Sequence, residues 1–442
     1  MQRIERAIFY SLILFLPTQL GKHFWPDFSY VSGIRIDYLS PTLYFTDVLL
    51  MVLFLVFLIR HIRLIRTARL KSQIARLPLN PQKLWIYLFV LVFLISNILW
   101  ATRPLLSLYG MTKLFEFSFL AIYIARTIRN RSQLRHIAFL FAFGSIFESF
   151  LAIAQYLNQG SLNGIFYFLG ERSFTGTTPG IANADIGSTL ILRPYGTFSH
   201  PNVLAAYLLV AIILVWSFIL TSKKQWKRIL RVVTLIVCSI ALLITFSRVA
   251  IFIWVILLFC ILGRLAFHSL KSVKAKILFV LIFAISLVVI SFVPVIREVL
   301  LRFSQTSLSD ESVTEREELL SAAFTMIREH PIFGVGLYNF IPALAPLQNP
   351  MPLGLYLQPV HNIFMLVFVE TGIIGLGFFI GLFVTTVERI KKQDMKMKGA
   401  LFILLFVIIL TGMFDHYWLT LQQGQLLFAT IIGLSWAKMQ KE

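Results

Sequence analysis

Charge is scarce in this chain. Only 14% of its 442 residues are Asp, Glu, Lys or Arg, against about 25% in soluble globular domains. Acidic residues are rarer still, 20 against 40 Lys and Arg. There are two cysteines, Cys238 and Cys260. Both fall inside apolar runs, which excludes a disulfide framework and a cysteine-based metal centre. No Walker-type glycine loop, Asp-x-Asp pair, Cys-x-x-Cys or His-Glu-x-x-His occurs, so no cofactor and no metal ligand set is expected. Neither an internal repeat nor a low-complexity segment is present, which excludes solenoids and biased tails.

What fills the space is hydrophobic. Apolar residues make up 58% of the chain, with 42 Phe and a mean hydropathy of +0.82. Apolar runs of about 18 residues recur along the whole length, flanked by Lys and Arg, as in a polytopic helical membrane protein. Twelve spans are predicted, near 7–24, 42–59, 84–101, 106–125, 137–157, 202–220, 232–246, 249–267, 277–296, 360–384, 399–414 and 420–437. The short basic N-terminus lacks a small-x-small cleavage site, so the first span is expected to be an uncleaved helix that starts inside. The alternate segments 1–6, 60–83, 126–135, 221–231, 263–276, 388–398 and 438–442 then hold 29 of the 40 basic residues and four of the 20 acidic ones. This asymmetry puts both termini in the cytoplasm by the positive-inside rule. It also accounts for the net charge of +20 with no nucleic-acid partner.

The expected organisation is therefore all-α and polytopic. Spans one to five lie in 1–158, an outer loop in 159–201 and spans six to nine in 202–296. A large outer loop follows in 297–359, with a helix at 312–329, and spans ten to twelve lie in 360–442. In that helix, Arg316, Leu320, Ala323 and Ile327 share one face by spacing, which predicts Arg316 on the packed side. His330-Pro331 ends it, and Gly334-Val335-Gly336 gives a tight turn. Gly372, Gly375, Gly377 and Gly381 in span ten read as close-packing positions between helices.

Eleven basic residues are left unexplained by topology. They include Lys113, Arg297 and Arg302, which read with most of the others as solvated loop charges. Arg193 and Arg248 stand apart, each at the lip of an apolar span. Arg193 opens the polar run R-P-Y-G-T-F-S-H-P-N. There Pro201 suits a first helical turn, His200 or Ser199 can cap, and Asn202 adds a polar side chain. Arg248 closes T-F-S-R before span eight, and His361 opens span ten in Q-P-V-H-N. Spans six, eight and ten all run from outside to inside, so three positive helix ends and two guanidiniums face outward. That describes a receptor for a diphosphate better than for a single carboxylate. His361 has two readings. It donates to a loop carbonyl as a structural residue, or it acts as a general base, held neutral by nearby cations and the helix dipole. Asn362 is placed to orient it or to bind a sugar hydroxyl. Glu370 reads as a buried tie between helices, and Asp415 and His416 are reserve candidates.

Four runs, R-P-Y-G-T-F-S-H-P-N-V-L-A-A-Y-L, T-F-S-R-V-A, H-P-I-F-G-V-G-L-Y-N-F and H-N-I-F-M-L-V-F-V-E-T-G-I-I-G-L, together resemble the O-antigen ligase/polymerase superfamily. The likeness spans about 193–376, and the N-terminal half matches in hydropathy only. It implies a GT-C-like membrane glycosyltransferase of the cytoplasmic membrane with its active site on the outer, periplasmic face. The implied donor is a glycan on undecaprenyl diphosphate, and the acceptor is a lipid, another glycan or a protein. It further implies that Arg193 and Arg248 hold the diphosphate, that Arg316 matches a further family arginine, and that His361 deprotonates the acceptor. The competing class is a polysaccharide-lipid flippase or other secondary transporter, which would call for repeat symmetry, broken helices and charges near the midplane. Ligase and polymerase stay unresolved. The topology predicts that Gly176→Cys and Ala345→Cys variants react with an impermeant thiol reagent from outside. Labelling only after permeabilisation overturns it.

Overall fold

A computed structural model describes residues 2–66, 81–186, 189–219, 225–269, 311–347 and 357–439. The expected span at 277–296 lies outside the described residues, as do Arg297 and Arg302. Most of the described residues are helical. Its helices are α1 (Gln2–Leu14), α2 (Phe45–Arg66), α3 (Pro81–Leu99), α4 (Pro104–Thr127), α5 (Arg131–Asn158) and the single turn α6 (Ile165–Phe168). Then come α7 (Pro201–Ile219), α8 (Gln225–Ile244), α9 (Arg248–Ser269), α10 (Glu311–Glu329) and the short α11 (Phe340–Leu344). The last four are α12 (Ile363–Lys391), α13 (Met395–Gly412), α14 (Tyr417–Thr420) and α15 (Gln422–Trp436). Five of the described helices are long and apolar enough to cross a membrane: those at Phe45–Arg63, Pro104–Thr127, Arg131–Asn158, Pro201–Phe218 and Ile363–Lys391. The chain is an α-helical membrane protein. Among the described residues, strands are confined to three small antiparallel pairs, at 21–23 with 42–44, 30–31 with 34–35, and 183–186 with 189–192.

The first predicted span is too long. Helix α1 stops at Leu14, just before Pro17, which lacks an N–H to donate. Residues 21–44 are built instead from the first two strand pairs and two 3-10 turns. The helix expected at 312–329 is present as α10, ended by His330-Pro331, but its packed face differs. Leu319, Ala323 and Met326 are buried, whereas Arg316 and Leu320 are exposed. Both faces contain Ala323. Burying the face through Arg316 would strip a guanidinium of water with no partner.

Residues group into two compact units, one comprising 1–16, 21–137 and 311–442, the other 17–20 and 138–310. In the first, α15 runs along α4. A Cβ on Gly433 would stand 2.7 Å from Ile124 Cβ and 2.8 Å from the Ala121 carbonyl oxygen, so the two backbones touch. An apolar core joins Val31, Leu39, Leu319, Met326, Val335, Phe340 and Leu357 to Leu366 on α12. It fixes α10 and the H-P-I-F-G-V-G turn to the start of α12. In the second unit the core is α7, buried along nearly its whole length.

Lys113 is no loop charge. It sits buried on α4, its Nζ 2.7 Å from Asp47 Oδ2 on α2, 3.1 Å from Glu116 Oε2 and 3.2 Å from Gln422 Oε1. Gln422 in turn donates to Thr46 Oγ1 and Asp47 Oδ1. One ammonium thus bridges two carboxylates where α2, α4 and α15 meet. Removing it strands buried charge, at a cost of about 3–5 kcal/mol. Lys113→Met is therefore expected to lower the thermal unfolding midpoint of the detergent-purified protein markedly. Adding Asp47→Asn to it is expected to recover part of the loss.

Candidate functional site

In the second unit the structure joins two of the singled-out runs. Gln155 on α5 accepts from the amides of Tyr195 and Gly196 at 3.0 and 2.8 Å and donates to the Gly196 carbonyl at 2.9 Å. Glu148, two turns earlier, accepts from the Thr197 amide and hydroxyl, both at 2.8 Å. Gly196 has φ +59°, and a Cβ there would lie 2.4 Å from Glu148 Oε2, so only glycine lets the loop sit on α5. The loop then enters α7, where His200 Nδ1 accepts from the Asn202 amide at 3.1 Å, capping the helix.

This clamp presents Arg193 to the turn before α9. Its Nε donates to the Thr245 carbonyl at 2.7 Å and its Nη2 to Asn202 Oδ1 at 2.5 Å. The turn is tight, with Phe246 at φ +51°, and Arg248 follows as the first residue of α9. Arg193 is 8% exposed. It therefore ties R-P-Y-G to T-F-S-R besides lending positive charge, and Asn202 is its partner.

In the first unit His361 precedes α12. The side chain of Asn362 caps that helix, accepting from the amides of Phe364 and Met365 at 2.9 and 3.1 Å and donating to the Met413 carbonyl at 3.3 Å. Its carboxamide thus fixes the start of α12 and ties it to the bend after α13. The neighbours of His361 come from the bend between α13 and α14. Asp415 Oδ1 lies 3.7 Å from His361 Nδ1, and the His416 ring is 5.0 Å away, centroid to centroid, tilted by 37°. His416 Nδ1 pairs with Thr420 Oγ1 at 2.7 Å, and Asp415 Oδ1 accepts from the His416 amide at 2.8 Å. The two reserve candidates are thus in the same cluster as His361. Their signal in the sequence is an Asp-His pair at the outer end of span eleven, the same end as the start of span ten.

Glu370 and Arg316 lie elsewhere. Glu370 is buried and accepts from the amides of Tyr338 and Phe340, tying α12 to the turn that enters α11. Arg316 is exposed on α10. Its neighbour Glu315 accepts from Gln358 Nε2, which ties α10 to the segment leading into His361. The sequence gives no hint of that contact.

Gly372 breaks α12. Its φ of +65° interrupts the helix, and a Cβ there would meet the Ile332 carbonyl oxygen at 2.0 Å. Gly375 faces the Thr371 side chain of its own helix, and Gly377 and Gly381 have open space, so the nearest neighbours of these four glycines include no second helix and the expectation that they pack helices together fails. Gly372→Ala is expected to lower stability by more than the roughly 1–2 kcal/mol cost of a left-handed alanine, because the turn at 331–336 is pushed off as well. Gly381→Ala, at an ordinary helical position, is expected to be neutral or slightly stabilising. Thermal unfolding of both variants checks the pair.

Residues 233–380 match the family model described as O-antigen ligase. The match covers about a third of the chain and takes in Arg248, Arg316, His361 and Glu370, whereas Arg193, Asp415 and His416 lie outside it. No curated protein matches the chain. With T-F-S-R, H-P-I-F-G-V-G and H-N-I-F inside one matched segment, the family model supports a place for this membrane protein in the O-antigen ligase/polymerase superfamily.

Proposed function

We propose that this protein transfers or polymerises a glycan, taking it from an undecaprenyl diphosphate carrier to an acceptor hydroxyl at the outer face of the cytoplasmic membrane. The observation that carries the reading is the approach of Asp415 to His361 Nδ1 at 3.7 Å. A carboxylate on that side favours the tautomer with the proton on Nδ1 and leaves the Nε2 lone pair for the hydroxyl. The separation is longer than a hydrogen bond, as base–orienter pairs are before substrate closes the site. In this reading the acceptor oxygen gives its proton to His361 and bonds to the anomeric carbon, while the bond from that carbon to the phosphate oxygen breaks. The departing diphosphate takes its charge to Arg193 and Arg248, which supply the positive charge that a metal ion supplies in other diphosphate chemistry. Direct attack on an α-linked donor gives inversion. The frame is a GT-C-like one of twelve spans with both termini cytoplasmic. The partners are the lipid-linked donor, a lipid, glycan or protein acceptor, and membrane lipids.

His361→Gln keeps a hydrogen-bonding side chain that takes no proton at neutral pH. Turnover of lipid-linked donor with acceptor is expected to fall about 10²–10⁴-fold, with donor binding nearly intact. Near wild-type turnover of this variant removes the base assignment. Arg248→Lys keeps charge but loses the planar fork and is expected to lose most activity while still inserting. Full activity in that variant overturns the clamp. Cells lacking the protein distinguish the two reactions: accumulated long lipid-linked chains mark a ligase, single units a polymerase.

A further inference from the structure

The cluster around His361 has a second chemical capacity. His361, Asp415 and His416 each present one donor atom, and the three atoms lie within 4.8 Å of one another. His361 Nδ1 is buried and has no hydrogen-bond partner. Its 3.7 Å separation from Asp415 Oδ1 is too long for a hydrogen bond. It is close to the spacing of two ligands on one tetrahedral zinc ion, which bonds of about 2.0–2.1 Å set near 3.4 Å. The other two ligands are held in place from behind. Thr420 Oγ1 takes His416 Nδ1 and the His416 amide holds the Asp415 carboxylate, the outer support that fixes ring orientation in metal sites. Tyr38 meets the His416 ring edge-on at 5.5 Å, and His416 is 2% exposed. Two imidazoles and one carboxylate form a donor set suited to a borderline divalent ion.

We propose that His361, Asp415 and His416 bind a zinc-type divalent ion, with the fourth position open to solvent or ligand. The site stands on this geometry and is independent of the glycan-transfer reading. If that reading also holds, an ion on these ligands competes with the acceptor proton for His361, and zinc acts as an inhibitor rather than a cofactor.

The test is direct binding to the full-length protein in detergent, stripped of metal with a chelator. Zn²⁺ is titrated in competition with a fluorescent zinc indicator, and Co²⁺ is used as the visible-absorption probe. One ion per chain and a tetrahedral-type Co²⁺ spectrum are expected. Affinity is expected to fall at least about tenfold in His416→Ala and in Asp415→Asn, and to stay unchanged in His330→Ala, an exposed histidine at the end of α10. Wild-type-like thermal unfolding qualifies each variant, and His416→Gln replaces His416→Ala if the latter does not fold. Absence of stoichiometric binding by the wild type overturns the site. So does equal affinity in folded His416 and Asp415 variants, which places the ion elsewhere. Neither result depends on transfer activity, so failure of the zinc site and failure of the proposed reaction are read separately.

Discussion

The first unit depends on a helix that is broken on purpose and mended from outside. At Gly372 the ladder of α12 is interrupted inside an apolar, membrane-type segment, where orphaned backbone groups are expensive because no water reaches them. The H-P-I-F-G-V-G turn supplies the missing partners. Val335 and Gly336 donate to the carbonyls of Val369 and Glu370 at 2.9 and 3.0 Å, and the Ile373 amide donates to Pro331 at 2.9 Å. Asn97 on α3 locks the joint, donating to the Phe333 and Glu370 carbonyls and accepting from the Leu337 amide. Glycines at 334, 336 and 372 are needed because each has positive φ and its missing Cβ faces backbone or a neighbouring residue at 2.0–2.5 Å. The joint seats the turn on α12 two to three turns from His361, so the sequence around the break is also what positions the start of that helix.

Much of this was readable in the chain and some was not. Long apolar spans are set by composition, and apart from the first the observed helices fall close to them wherever the residues are described. Helix α10 was legible to within a residue because His330-Pro331 is a chemical stop. Its orientation was not, since the stripe through Arg316 and the stripe through Leu319 both contain Ala323, and the choice between them is made by Val31, Leu357 and Leu366, far off in sequence. The end of α1 was missed because hydropathy runs on past Leu14 while Pro17 and the polar pair Thr18-Gln19 turn the chain into strands. Both of those side chains bond to distant carbonyls, at Leu169 and Phe198, contacts without any local signature.

The charges tell a related story. Sorting Lys and Arg by side of the membrane isolates residues that need another explanation, and in several cases the explanation is structural. Arg103 donates to the Phe28 and Tyr30 carbonyls at 2.8 and 2.9 Å, Arg35 stacks on Trp25 at 4.4 Å, and Lys113 holds two carboxylates. What such a sort measures is the cost of placing a cation away from the cytoplasmic side, and a fold can meet that cost with carbonyls, rings or carboxylates as well as with a ligand. His361, which carries no formal charge, escapes the sort altogether. Asp415 and His416 are candidates by sequence, but their closeness to His361 appears only where the bend after α13 returns beside α12.

Arg193 shows why structural and ligand roles need not exclude each other. A guanidinium is planar and carries five N–H donors, so committing Nε to Thr245 and Nη2 to Asn202 fixes the plane of the whole group. A lysine in the same place would have one nitrogen to share between the carbonyl and any anion, and four rotatable bonds to order first. The same two hydrogen bonds that lock the R-P-Y-G loop to the T-F-S-R turn therefore also remove most of the entropy cost of presenting a cation in a defined direction. In the buried setting of Arg193 that direction is set by the loop, which Glu148 and Gln155 of α5 hold through its backbone at Tyr195, Gly196 and Thr197.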